Sequence, residues 1–337
     1  MVTKRVACPH CRNEISIEGN PGQTVEISCP KCNTKGIFAF PTEKTEPATR
    51  ESYLIEVNNI EFAYPKSDKK AVNGVSFGIK NGEIFGFLGP NGAGKTTTQK
   101  IIIGLLKQYS GNVELLGKNL KDWGPDIYNR IGVGFELPNH YQKLTALENL
   151  ELFASFYHQK TIDPMVLLEM VELEKDANAR VGTFSKGMKS KLNFARALIN
   201  DPEVLFLDEP TTGLDPVSRR LIKDIILKKR KEGKAIFLTT HNMNDADELC
   251  DRVGFVVDGK ILLVESPRAL KIRHGVKKVK IEYLKDGELQ QKEFDLKNLA
   301  DNKIFLSLLK SENVQTIHTA EATLDEIFIK ATGRQLK

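Results

Sequence analysis

Ile84 to Ile102 reads IFGFLGPNGAGKTTTQKII: an apolar strand runs into a glycine-rich turn and out into a helix. No other stretch restricts the fold as much. Gly89 to Thr97 fits G-x-x-x-x-G-K-[ST], a loop built to cradle phosphate. Gly89, Gly92 and Gly94 let the backbone turn tightly and aim several N–H groups at one anion, with Pro90, Asn91 and Ala93 between them. The helix that starts near Lys95 adds the positive end of its dipole. Lys95 is expected to reach the β- and γ-phosphates and Thr96 to hold Mg²⁺, with Thr97 among the nucleotide-binding residues.

Two further strings follow in order, TFSKGMK (Thr183 to Lys189) and VLFLDEP (Val204 to Pro210). The second is an apolar run ending in adjacent carboxylates, as expected of a buried strand that delivers acids to a cation and a water. Asp208 would complete the magnesium shell with Thr96, and Glu209 would polarise the attacking water. Strand and helix patterns then alternate through AIFLTTH, ending at His241, which predicts an α/β fold with helices on the faces of a mixed sheet.

The 337 residues, 40% hydrophobic and 28% charged, suit a globular protein of two or three domains. Residues 1–40 form a cysteine-bearing module, and 41–52 a Pro-, Thr- and Glu-rich linker. Residues 53–274 form the nucleotide domain, helix-rich from about 140 to 200, and 275–337 a small α+β accessory domain. No apolar run approaches the ~18 residues that span a bilayer, and no secretion signal is evident. The net charge of +5 is mild and dispersed, fitting ordinary solvated surface better than a nucleic-acid face.

With these motifs in place, residues 53–337 resemble the ATP-binding subunit of ABC transporters. The resemblance implies a P-loop NTPase of ABC type that hydrolyses ATP with Mg²⁺. It also implies roles for matching positions. Tyr64 would stack on adenine. Ser185 and Gly187, in the signature loop, would contact the γ-phosphate held by the opposite subunit. Asp215 would line the dimer interface, and His241 would touch the γ-phosphate. Lys95, Glu209 and His241 are the expected catalytic set. Two positions depart from the family pattern. Phe184-Ser185-Lys186-Gly187-Met188 stands where Leu-Ser-Gly-Gly-Gln is usual, a variant that resembles exporters. Glu136 stands where a magnesium-contacting Gln is usual, and it is expected to tolerate the site only with Mg²⁺ present.

Such a subunit works as an ATP-dependent dimer with itself or a related ATPase, driving a separate multi-spanning membrane permease that ELPNHYQKL (Glu136 to Leu144) would face. The tail ATLDEIFIKATGR resembles exporters of this family. The chain is thus expected on the cytoplasmic side of the cell membrane, peripheral through its partner, energising export of a substrate that its sequence does not name. The alternative is a soluble ABC-type ATPase acting on ribosomes or nucleic acid. The single ATP site, and the lack of coiled coil between Lys95 and Asp208, count against it.

Cys8-Pro-His-Cys11 and Cys29-Pro-Lys-Cys32 are separated by seventeen residues. Two such pairs at this spacing match a four-cysteine Zn²⁺ site of zinc-ribbon type, structural because four sulfurs leave no open position. His10 is therefore not expected to be a ligand, and Cys250 reads as a small core residue.

Overall fold

The computed structural model describes residues 2–8, 10–20, 23–39, 53–275, 278–310, 313–320 and 322–334. The linker expected at 41–52 lies outside them. The chain divides into two compact units, Met1–Glu51 and Ser52–Lys337.

The first unit holds two antiparallel hairpins, β1 (Val2–Ala7) with β2 (Glu14–Gly19) and β3 (Thr24–Ser28) with β4 (Lys35–Ala39). Among its described side chains only Cys8, Ile17 and Cys29 are buried hydrophobics. So small an apolar core cannot offset the conformational entropy of some forty residues, so this unit needs a staple.

In the second unit, β5 (Tyr53–Ala63), β6 (Lys70–Lys80), β8 (Ser110–Leu115) and β9 (Lys118–Asn119) form an antiparallel sheet. A second, six-stranded sheet runs in the order β10 (Ile131–Gly134), β11 (Val204–Asp208), β12 (Ala235–Thr240), β7 (Ile84–Leu88), β13 (Arg252–Val257), β14 (Lys260–Glu265). Its pairings are parallel except β13 with β14, so the sheet is mixed.

Its central strands are apolar on both faces, as a sheet covered on both sides requires. Ile84, Leu88, Leu205, Leu207, Ile236 and Leu238 face one core, while Phe85, Phe87, Val204, Phe206 and Phe237 face the other. The first core is roofed by helices: α2 (Ala146–Ala154), α3 (Pro164–Met170), α4 (Lys186–Ala197), α5 (Pro216–Lys231) and α6 (Met243–Leu249) all contribute. The second is closed by the antiparallel sheet and α1 (Lys95–Ile102), with Phe77 stacked on Phe85 at 4.9 Å between centroids. Helix α3 is shorter than the run DPMVLLEMVELEK suggests. Glu172 adopts φ +54°, a left-handed conformation that cannot continue a helix.

After α7 (Pro267–His274), β15 (Lys278–Lys285) pairs antiparallel with β16 (Glu288–Asp295) and β17 (Val314–Ala320). With α8 (Lys303–Lys310) they enclose a small core of Val279, Ile281, Phe294 and Phe305. The terminal α9 (Leu324–Thr332) does not join it. Its Phe328 is fully buried and meets Phe255 of β13 edge-on at 5.1 Å, so the end of the chain is part of the large core.

Candidate nucleotide site and cysteine centre

The glycine loop leaves β7 at the carboxyl edge of the six-stranded sheet, where β11 and β12 also end. That edge is where open α/β sheets bind ligands. Gly94, at φ +104°, caps α1, and a Cβ there would lie 2.3 Å from the Ala71 carbonyl. A Cβ on Gly89 would lie 2.2 Å from the Val256 carbonyl, so neither loop position can carry a side chain.

A cavity of about 380 Å³ opens over this loop. Tyr64, Asn91, Gly92, Gly94, Lys95, Thr96, Thr97, Glu136, Asp208 and Glu209 line it, so residues far apart in sequence converge on one space. Gly89, Pro90 and Ala93 form the turn behind it, with Gly89 and Pro90 offering carbonyls to Lys95 Nζ at 2.7 and 3.1 Å. Lys95 is buried, and that burial lowers its pKa against the pull of Glu209, Asp208 and Glu136. A buried ammonium held mainly by carbonyls is a site for an incoming anion.

Asp208 is 3% exposed, and burial pushes its carboxyl up. Thr96 Oγ1 donates to its Oδ2 at 3.0 Å and Thr239 to its Oδ1. A buried carboxylate beside a threonine hydroxyl and two more acids suits a hard divalent cation.

Glu209 is held by four donors. Its Oε1 accepts from the His241 backbone N–H at 2.9 Å and from Nδ1–H at 2.7 Å. Its Oε2 accepts from Thr212 at 3.1 Å and Thr240 at 3.2 Å. Glu209 also sits at φ +51°, a costly conformation that this clamp maintains. His241, expected at the γ-phosphate, rests its ring on Glu209, and among the described residues its Nε2 has no hydrogen-bond partner.

Tyr64 is 42% exposed, its hydroxyl is 3.1 Å from the Thr97 hydroxyl, and Phe62 braces its ring edge-on at 4.9 Å. Ser185, Gly187 and Asp215 lie outside this cavity. Ser185 caps α4, accepting from the Met188 N–H at 3.2 Å, and its surroundings are exposed. Asp215 caps α5, and the Ser218 and Val217 donors hold its carboxyl low. Ser185 and Asp215 are both exposed at their helix starts.

Sequence reasoning missed a buried carboxylate, Asp245. It accepts from Thr211 at 2.5 Å and pairs with Lys223 at 2.6 Å, tying the segment after Glu209 to the helix after His241. Only the polar residue at an inward position of α6 hinted at it.

Phe135, the residue before Glu136, lines a second hollow. Asn193 of α4 donates to the Phe135 carbonyl at 2.7 Å, and Arg196 to the Asn139 carbonyl at 2.8 Å. His140, 6% exposed, donates from Nε2 to the Lys189 carbonyl at 2.9 Å, and burial lowers its pKa to about 4. The groove they frame, about 610 Å³, is walled by Leu105, Val133, Phe135, Tyr141 and Phe153.

In the first unit, Cys8 with Cys11 and Cys29 with Cys32 occupy two turns of one geometry. The Cys8 and Cys29 carbonyls each accept from a residue four later, Arg12 and Asn33, which sit at φ +58° and +57°. All four Sγ atoms lie within 4.8 Å of one another, with Cys8–Cys32 at 3.6 Å and Cys11–Cys29 at 3.5 Å. Facing thiols at these separations suit one tetrahedral metal. Cys250 belongs to the second unit, buried at the end of α6.

Comparison with known proteins agrees with this geometry. Residues 72–212 match the ABC transporter family model, and residues 277–321 match the fluoroquinolone efflux ABC transporter C-terminal domain. A fluoroquinolones export ATP-binding protein of Mycobacterium tuberculosis is 56% identical over 284 residues, covering 84% of this chain and 94% of that protein. A Nod factor export ATP-binding protein I of Burkholderia orbicola is 42% identical, covering 64% and 72%. Among solved structures, an ATP-binding subunit of an ABC transporter superposes with TM-score 0.59 at 29% identity, covering 66% and 93%. A dimeric ATP-binding cassette, bound to ADP and phosphate after hydrolysis, gives 0.58 at 29% identity, covering 63% and 98%. No helix among the described residues is long and apolar enough to cross a membrane. The chain belongs to the ATP-binding subunits of ABC transporters of the export type, and it is an ATPase.

Proposed function

We propose that this subunit, peripheral on the cytoplasmic side of the membrane, energises export of small aromatic drugs of the fluoroquinolone class through a separately encoded multi-spanning permease. The observation that carries the reading is the match of residues 277–321 to a fluoroquinolone efflux C-terminal domain, added to the identity across the ATPase. The groove beside Glu136 is the permease contact: apolar, aromatic, and one residue from the nucleotide cavity.

The chemistry follows from the residues. Lys95 and the loop N–H groups bind the β- and γ-phosphates of ATP. Mg²⁺, held by Thr96 and Asp208 with Glu136 facing it, would supply charge neutralisation on the phosphates. Glu209 accepts the proton of the attacking water, and Tyr64 stacks on the base. In the clamped state both Glu209 oxygens are occupied, so the proton acceptor becomes available when His241 turns Nε2 towards phosphate. Ser185, Gly187 and Asp215 act on the nucleotide of the second subunit, which makes the active unit a dimer.

The four cysteines hold zinc, which supplies the staple that the first unit lacks. Elemental analysis of protein purified without chelators should give one zinc per chain, and Cys8→Ser should abolish it; metal-free wild-type protein with a folded first unit would refute the site. For the export reading, Glu209→Gln protein with ATP should co-purify a multi-spanning polypeptide from solubilised membranes. Recovery of ribosomes or nucleic acid instead would overturn it.

A further inference from the structure

We infer a second small-molecule site, for a planar aromatic carboxylate, in the pocket between the end of α1 and the β9–β10 connection. The cavity is about 310 Å³, at the lower end of small-ligand sites. It lies away from the nucleotide cavity and shares no lining residue with it.

Three aromatic rings line it, Tyr109, Trp123 and Tyr128. Two have already spent their polar atoms on backbone. Trp123 Nε1 donates to the Leu115 carbonyl at 2.9 Å, and the Tyr128 hydroxyl to the Ile103 carbonyl at 3.3 Å. The Tyr109 hydroxyl is different: it is wholly buried and has no partner among the described residues. A buried phenol O–H without a partner is an unfavourable arrangement that a hydrogen-bonding ligand would relieve. Desolvation raises its pKa, so it stays a donor at neutral pH.

The charged groups at the mouth fix the ligand's sign. Lys107 and Lys121 line the pocket, and no carboxylate does among the described residues. Lys121 Nζ stands 5.2 Å from the Tyr109 ring centroid, and Lys118 Nζ lies 4.8 Å over Trp123. Arg130 also faces Trp123, but Glu203 neutralises it, so the uncompensated charge belongs to the lysines. One buried phenol donor, two ammonium groups and aromatic walls select a flat ring system bearing one carboxylate. The pocket adjoins the groove given above to the permease, sharing Ile103 and Tyr128 with it, but its ligand is deduced from the pocket's own residues and not from the export reading.

Trp123 is the only tryptophan in the chain, which makes it a reporter for this pocket. Full-length protein labelled with 5-fluorotryptophan should give one fluorine resonance. Titration with 2-naphthoate should shift that resonance saturably. The uncharged 2-naphthamide should bind at least tenfold more weakly, as should 2-naphthoate to Lys121→Ala and to Tyr109→Phe. Tyr109→Phe keeps the ring in the wall and Lys121→Ala removes one exposed side chain from the mouth, and the position of the ligand-free resonance checks that both fold. No saturable shift, or equal affinity for the amide or for both variants, would overturn the site.

Discussion

Glu209→Gln separates catalysis from folding, because the clamp around this side chain can accept an amide. The amide oxygen keeps the two donors from His241. The new NH₂ faces Thr212 and Thr240, whose hydroxyls now donate to Oε2 and can rotate to accept instead. All four contacts survive, so the melting temperature should move by no more than a few degrees. The proton acceptor is lost outright. General-base catalysis contributes about 10²–10⁴-fold, or roughly 2.7–5.5 kcal/mol of barrier. Phosphate release should fall by that factor while ATP affinity holds, and an ATP-bound dimer should accumulate on size-exclusion chromatography with light scattering. Turnover within tenfold of wild type, or a purely monomeric variant with ATP bound, would refute the assignment of Glu209.

Two further predictions test other parts of the account. His140 has a folded pKa of about 4 against roughly 6.5 unfolded, so the unfolded chain binds more protons between those values and stability falls as pH drops from 6.5 towards 4. The loss should approach about 3 kcal/mol, and urea titrations of His140→Gln should show it removed; an unchanged pH slope would contradict the buried neutral imidazole. Phe328→Ala should cost about 3–5 kcal/mol in urea denaturation if α9 is part of the main core, and a cost below about 1 kcal/mol would mean that it is not.

What could be read in the sequence was what is local. The loop from Gly89 to Thr97 and the acids at 208 and 209 each sit in a contiguous string whose chemistry depends on near neighbours. Family resemblance added Tyr64, Glu136 and His241, which then meet around the same site in space. Contacts between distant segments were invisible. Nothing in AIFLTTH says that His241 rests on Glu209, 32 positions away. Nor does the spacing reveal Asp245 joined to Thr211 and Lys223, because a buried ion pair needs two segments to be folded together. The composition from residue 275 onward suggests one appended piece. Its last helix instead joins the main core, where Leu324, Ile327 and Phe328 are buried, and none of the three belongs to the small core of the β15–β17 sheet. The paired cysteine turns were legible because their spacing alone constrains them.

The most direct test of the central claim is transport in inside-out vesicles holding this chain and its co-purified permease. ATP and Mg²⁺ should drive accumulation of a fluoroquinolone, and Lys95→Ala, which removes the buried ammonium from the phosphate loop, should abolish it. Accumulation that persists with Lys95→Ala, or no ATP-dependent accumulation by the wild-type pair, would contradict the account.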